Sequence, residues 1–405
     1  MKKLIILLIL GLAMPAYSAN VLRQAKEAIK KKQNLEQTAK TLLEEAAKPA
    51  TTHSDRVECY ILAAECWKRV NEAENLKLYL KQKYDTTKFF SSIRQMFTLL
   101  EHADSLEMQP DEKGRVKISN RRRIHDNLNP FRKNLFAGGN WHFRSTRMKD
   151  ALPFFETYID VAKTPIFAAD SLLKTDTIMP RVGYLALHSA FMQQDYDAVI
   201  RHAPLAMRAG IRNHVVQEYL AKSWAAKGDS VHHLAAMWEG LHKFPLYTYF
   251  YSNLIDHLIS ERQYERGLAV TDSMLALSDT VPIFFYGKSL LLLKLHREAE
   301  VIAAADACTA LDSTFADAYY NKGIASLNLA VEKTESACTD LTDPQCQRDR
   351  EEIKQLYLQA KQPMERVRQL QPENKERWVA PLYRIYLNLN MGEEFDEMDR
   401  LLNAN

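Results

Sequence analysis

The sequence predicts an all-α fold built from repeated antiparallel helix pairs, and two observations support this. The 405-residue chain is 46% hydrophobic and 26% charged but has only 12 Gly and 14 Pro, a composition that favours uninterrupted helices. In addition, a residue pattern recurs every 34 positions, the separation of Tyr319 from Phe285. A register kept over several units without insertion indicates an internal repeat of helical hairpins.

The repeat is visible in both helices of each predicted pair. In the first helix, one recurring position is occupied by Tyr319, Phe285, Tyr251, Gln217 and Gly183. The position four residues later is occupied by Gly323, Ser289, Ile255, Ala221 and Leu187. In the second helix, the recurring columns are Val199, His233, Gly267, Val301 and Ala206, Gly240, Met274, Cys308. Glycine in a helix interior costs about 1 kcal/mol against alanine, so Gly323 indicates a close approach by a neighbouring helix.

This pattern resembles the tetratricopeptide repeat (TPR). The motifs that carry the resemblance are Tyr319 with Gly323, Ala360 with Pro372 and Trp378, and Gly139 with Ala151 and Phe155. The resemblance covers residues 134–402 and, more weakly, 21–106. It implies a right-handed superhelical solenoid that holds protein or peptide partners on its concave face without a cofactor.

The chain divides into four predicted parts. Residues 1–18 read as a signal peptide, since Lys2 and Lys3 precede an apolar run and small residues precede the expected cleavage point. Residues 19–112 form an N-terminal helical region with degenerate repeats, and residues 113–133 form a basic connecting segment. Residues 134–405 form the repeat solenoid, with an extended hairpin at about 331–350. The mature protein is therefore expected to be exported, periplasmic and not integral to a membrane.

The cysteines allow one disulfide. Cys338 and Cys346 flank a polar stretch whose Asp-Pro turn could bring them together, so the sequence predicts a disulfide between them. Cys59 and Cys66 lie about 10 Å apart along a helix, too far for a bond, and are expected to be core thiols like Cys308.

The sequence offers little that could carry catalysis. It has no phosphate-binding glycine loop, nucleophile elbow, metalloprotease motif or zinc-site spacing. His232 and His233 are adjacent, so they point to different sides of their helix and are not expected to share a metal. We predict no catalytic residues, no metal and no cofactor, and rank an enzyme behind two binding functions.

The segment from Lys113 to Lys149 is strongly basic, with eleven Lys and Arg against one acid, Asp126. In an exported protein, nucleic acid is not an expected partner. The alternative function is therefore an adhesion-type module that grips anionic envelope polymer or a membrane surface through Arg121, Arg122 and Arg123. The competing interpretation is a solvated connection whose arginines cap helices and pair with nearby acids.

A compositional pattern suggests modification. Asp followed by Ser or Thr and then an apolar residue or Thr resembles the O-glycosylation acceptor that one group of Gram-negative bacteria uses on exported proteins. The predicted attachment residues are Thr86, Ser105, Ser171, Thr177, Ser230, Ser273, Thr280 and Ser313. The alternative is that these Asp, Ser and Thr residues form turns and helix caps.

The resemblance also implies a binding groove. In the family, the first helix of each pair lines the concave side, with partner-facing positions one, five and eight residues after the start of the signature. On this chain these positions are Glu218 and Lys222; Ser252, Asp256 and Ile259; Tyr286, Leu290 and Leu293; and Tyr320, Ile324 and Leu327. We predict an apolar helix or extended peptide as guest, anchored by Tyr286 and Tyr320. Alternatively, Leu293 and Leu327 belong to the core between helices.

Overall fold

A computed structural model describes residues 18–339 and 342–403, and within these residues every regular element is a helix. The predicted signal peptide lies outside the described residues except for Ser18, which is in the first helix. The chain divides into two compact units, with the division between His233 and Leu234.

The structure consists of successive helices, as predicted. The first unit contains α1 (18–31), α2 (Leu35–Ala46), α3 (His53–Tyr79), α4 (Thr86–Glu107), α5 (Arg121–Leu128), α6 (Arg132–Arg144), α7 (Met148–Val161), α8 (Leu172–Thr175), α9 (Met179–Met192), α10 (Tyr196–Met207) and α11 (Asn213–Ala226). The division falls within α12 (Ser230–Lys243). The second unit continues with α13 (Thr248–Ser260), α14 (Tyr264–Leu277), α15 (Pro282–Lys294), α16 (Glu298–Leu311), α17 (Ala316–Ser336), α18 (Pro344–Leu370), α19 (Lys375–Asn388) and α20 (Gly392–Asn403).

The backbone keeps the register of 34 residues that the sequence shows. The second helices of four successive pairs start at Tyr196, Ser230, Tyr264 and Glu298, each 34 residues after the last. Two residues before each start, the turn residue has a left-handed backbone, at Gln194 (φ 61°), Gly228 (φ 74°), Arg262 (φ 56°) and His296 (φ 54°). Only one of these four is glycine, so three pairs hold a residue with a side chain in a conformation that costs it about 1 kcal/mol.

One of the repeated columns of the second helices is buried in every pair. Ala206, Met274 and Cys308 of the second-helix column are buried, and so is Gly240. A Cβ atom on Gly323 would lie 2.5 Å from Cε of Met364 on the partner helix α18, so the glycine permits the close approach that its position predicted. The predicted fold class, a stack of antiparallel helix pairs, is confirmed.

The basic segment 113–133 is more than a connection. It contains α5 and a short 3₁₀ turn at Asn129–Phe131 that leads directly into α6. Ile124 and Leu128 of α5 are buried, which attaches the segment to the helices around it.

The insertion between Tyr319 and Trp378 is taken up by longer helices. Helix α17 has 21 residues and α18 has 27, against 12 to 14 for α9 to α16. The loop of this hairpin includes residues 340 and 341, which lie outside the described residues.

Cys346 is a buried free thiol, so the disulfide with Cys338 is not formed in the structure, and the pairing stays a prediction. The carboxylate of Asp349 instead connects residues on the two sides of this loop. Asp349 accepts hydrogen bonds from the amide of Cys338 (2.9 Å) and from Gln345 (2.7 Å), and it pairs with Lys333 (3.0 Å). These three donors lower the pKa of Asp349 to about 2.

The other three cysteines are core thiols, as predicted. Cys59, Cys66 and Cys308 are buried and free, and burial raises the pKa of each thiol to about 12. Because the thiolate is the reactive form, the raised pKa values make these cysteines poor nucleophiles at neutral pH.

Candidate partner-binding surface

The two predicted aromatic anchors are half-buried in the second unit. The ring of Tyr286 lies 5.1 Å from that of Phe315, and burial raises the pKa of Tyr286. The ring of Tyr320 lies 4.3 Å from the guanidinium carbon of Arg377, which is held in turn by Asp317 at 2.5 Å. Each tyrosine therefore presents part of its ring to solvent from a position fixed by its neighbours.

The remaining predicted groove positions divide into surface and core. Leu290 and Ile324 are half-buried. Leu327 is only 6% exposed and packs with the core of the last helix pairs, so it is a core residue and cannot contact a guest. Leu293 is half-buried and packs against a separate core cluster that includes Leu268 and Val301.

The polar groove positions are partly engaged with one another. Lys222 forms an ion pair with Glu218 one turn earlier on α11. In the next pair, Asp256 is exposed, whereas Ser252 and Ile259 are half-buried.

The first unit contains an aromatic cluster that sequence reasoning missed. We call it the aromatic strip; it consists of Phe143 on α6, Tyr184, His188 and Phe191 on α9, and Tyr219 on α11. The ring of His188 lies 5.5 Å from Phe143, 6.3 Å from Tyr184 and 5.9 Å from Tyr219. Phe191 stacks on Tyr219 at 3.7 Å with an interplanar angle of 4°. All five residues are half-buried, and they lie on three first helices, α6, α9 and α11.

One polar atom in the strip has no partner. Nδ1 of His188 is buried and makes no hydrogen bond to any described residue. Burial, followed by the nearby charge of Arg212, lowers the pKa of His188, so the ring is neutral near pH 7.

The sequence did contain a signal for this strip. Counting one, five and eight residues from Gly183 gives Tyr184, His188 and Phe191, by the rule that gave the predicted groove. Gly183 occupies the place where the other pairs carry a larger side chain, so the start of the signature is hard to recognise in this pair.

One of the three arginines predicted to form the basic patch is paired with a buried carboxylate. Arg121 donates from Nε and Nη2 to the two carboxylate oxygens of Asp104, at 2.8 and 3.0 Å. The side chain of Asp104 is 2% exposed and that of Arg121 is 29% exposed. Of the three predicted patch residues, Arg122 and Arg123 are exposed, whereas Arg121 is half-buried and paired with Asp104.

Arg121→Ser is expected to lower the free energy of unfolding by about 1–3 kcal/mol, because it leaves the buried Asp104 carboxylate without its donors. Arg122→Ser is the matched control and should change it by less than about 0.5 kcal/mol. Urea unfolding of both variants measures the difference. Equal effects of the two substitutions would contradict a structural role for Arg121.

The predicted glycosylation residues are accessible, and attachment there stays a prediction. All of them are exposed except Thr86, which is half-buried. The neighbouring aspartates often act structurally, as the alternative proposed. Asp85 caps α4 by accepting a hydrogen bond from the amide of Lys88, and Asp229 accepts one from the amide of His232.

The structure offers no metal-binding or membrane-spanning element within residues 18–339 and 342–403. No group of three or more His, Cys, Asp or Glu side chains there could hold a metal ion, and no helix there is both long and apolar enough to cross a bilayer. His232 and His233 point apart as predicted: His232 stacks on Trp224, whereas His233 contacts the carbonyl of Ala221.

Comparison with known proteins found similarity only among solved structures. No family model matches the chain, and no curated protein matches it. The chain is similar to the C-terminal part of a TPR repeat-containing protein from Cytophaga hutchinsonii, with 10% identity and a TM-score of 0.37 over 65% of this chain and 98% of that one. It is also similar to yeast Tom70, with 12% identity and a TM-score of 0.34 over 94% and 89% of the two chains. A third similar structure is YrrB, a TPR protein with an unusual peptide-binding site, with 13% identity and a TM-score of 0.27 over 65% and 97%.

Proposed function

We propose that this stack of tetratricopeptide-type helix pairs is a non-enzymatic scaffold that binds a protein or peptide partner in the bacterial cell envelope. The partner lies on the face formed by the first helices of successive pairs. The chain itself supplies contact surface and needs no cofactor for this role.

One observation carries the proposal. At the partner-facing positions of several first helices, aromatic residues stay partly exposed, while one column on the same helices is buried throughout: Leu187, Ala221, Ile255, Ser289 and Gly323. Large rings with few rotatable bonds are the side chains that most often anchor protein interfaces. Tyr286 and Tyr320 in the second unit, and the aromatic strip in the first, are such anchors.

The envelope location is supported by the N-terminal sequence. Lys2 and Lys3, the apolar run after them and the small residues up to Ser18 have the order of a secretory signal peptide. The mature chain would then meet its partner outside the cytoplasm.

The alternative function, adhesion through the basic segment, has less support. Several of its arginines are paired with carboxylates: Arg115 with Asp111, Arg121 with Asp104, and Arg132 with Asp176. Arg122 and Arg123 remain as exposed charges. Binding through these two residues would weaken steeply with ionic strength, whereas binding on the aromatic face would not.

Site-specific photo-crosslinking in the native host tests the scaffold proposal. A benzoylphenylalanine at position 286 or 320 should form a discrete adduct with a partner, whereas one at Tyr79, an 83% exposed tyrosine at the end of α3, should not. Tyr286→Ala and Tyr320→Ala should reduce capture by a purified, identified partner while circular dichroism shows that the helices remain. Capture that persists with both tyrosines removed would overturn the role of this face.

A further inference from the structure

We propose that the aromatic strip binds an acidic peptide segment that carries apolar side chains. This inference rests on the proposed scaffold function and names the chemistry of one guest. It differs from the apolar guest that the sequence predicts for Tyr286 and Tyr320, because the arginine beside Tyr320, Arg377, is already paired with Asp317.

The strip has the shape of an anchor site. Its rings form an unbroken series from Phe143 through His188 to Tyr219, and Phe191 extends it by stacking on Tyr219. Half-buried rings that are fixed by one another lose little side-chain entropy when a guest covers them. Leucine or phenylalanine side chains of a peptide would lie against this surface.

The charge beside the strip is positive. Arg181 lies one turn before Tyr184 on α9, with its guanidinium carbon 5.8 Å from the ring of Phe136. Arg212 immediately precedes α11, and its charge acts on both His188 and Tyr219. Both arginines are exposed, and neither has a carboxylate within 4.0 Å among the residues that the structure describes.

The acids near these arginines do not cancel that charge. Glu218 on α11 also faces Tyr219, but it is paired with Lys222. A guest that brings carboxylates would complete ion pairs with Arg181 and Arg212, whereas a basic guest would be repelled.

Fluorescence anisotropy with two labelled peptides tests the charge requirement. In one peptide Asp and Glu alternate with Leu and Phe, and in the other Asn and Gln replace every acid. The acidic peptide should bind about tenfold more tightly or better. Arg181→Gln combined with Arg212→Gln should remove that advantage, while Arg350→Gln, at an exposed arginine of α18, should leave it unchanged.

Three results would overturn the inference: equal binding of the two peptides, binding of neither, or retention of acidic-peptide binding by the double arginine variant. Binding to phosphatidylglycerol vesicles that depends on Arg181 and Arg212, without peptide binding, would also overturn it in favour of a lipid surface. Partner capture through positions 286 and 320 is independent of this test. Capture there without acidic-peptide binding would leave the scaffold standing and remove only this inference.

Discussion

Arg132→Ala is expected to lower the free energy of unfolding by about 3–5 kcal/mol, because it leaves a buried carboxylate without its cation. Nη1 of Arg132 lies 2.5 Å from Oδ2 of Asp176, and the two side chains are 9% and 8% exposed. The hydroxyl of Tyr158 donates to the same oxygen at 2.7 Å, and the guanidinium carbon of Arg132 lies 3.8 Å from the Tyr158 ring. Urea unfolding at neutral pH measures the loss.

The same network predicts how stability changes with pH. Burial raises the pKa of Asp176, but the hydrogen bonds from Tyr158 and Arg132 outweigh it and hold the pKa below its usual value. A carboxyl whose pKa is lower in the folded state stabilises the fold above its unfolded pKa of about 3.9, and this contribution disappears as the pH falls through the folded value. Asp176→Asn should therefore flatten the acid side of the stability profile.

Two variants check that the burial of the charge is the cause. Arg122→Ala removes an exposed arginine of the same segment and should change the free energy of unfolding by less than about 0.5 kcal/mol. Arg132→Met combined with Asp176→Leu removes both charges and should recover part of the loss, because two apolar side chains can replace a buried pair. A single Arg132→Ala variant that unfolds like wild type would contradict the buried ion pair.

The helix register could be predicted from sequence because it depends on local repetition. Each pair must bury its apolar stripe on the next, so the same position recurs as a core residue in every pair. The column Ala206, Gly240, Met274 and Cys308 shows this, since all four are buried. The small residue at Gly323 likewise predicted a close approach, and the structure identifies Met364 as the side chain that makes it.

The function of the basic segment could not be predicted in the same way. Its run of arginines gives the charge, but the carboxylates that accept them come from other elements: Asp104 from α4 for Arg121, and Asp176 from the residues after α8 for Arg132. Such pairings depend on tertiary packing between residues that have no repeat relationship. A run of like charge in sequence therefore became two buried or partly buried ion pairs and a smaller exposed surface.

The groove prediction shows a different limit. A rule that counts positions along a helix identifies the side of the helix that faces a partner, but it does not decide whether a residue at the border of that side is exposed. Leu327 lies at this border and is buried. The same rule applied at Gly183 gives Tyr184, His188 and Phe191 but not Phe143 and Tyr219, the other two members of the aromatic strip. The unpartnered nitrogen of His188 could not have been found, because it depends on which rings surround it.

Phe155→Ala is expected to lower the free energy of unfolding by about 3–5 kcal/mol, and Gly139→Ala in the same chain should restore part of it. Phe155 on α7 is fully buried against Gly139 on α6, where an added Cβ atom would lie 2.7 Å from Cδ1 and 2.9 Å from Cζ of the ring. Gly139→Ala alone must displace this ring, which costs about 1–3 kcal/mol, offset by about 1 kcal/mol of helix propensity. Once the ring is gone, the same methyl group has room and fills part of the cavity.

A double-mutant cycle measures this coupling, with an expected interaction of about 0.5–3 kcal/mol in favour of the double variant. Gly392→Ala is the control for helix propensity, because a Cβ atom there meets no other atom within 4 Å and the residue begins α20. It should be neutral or slightly stabilising in the presence and absence of Phe155. Additive effects of Gly139→Ala and Phe155→Ala would show that α6 and α7 do not approach through this glycine, and would remove the physical reason for a glycine at that position of the helix pair.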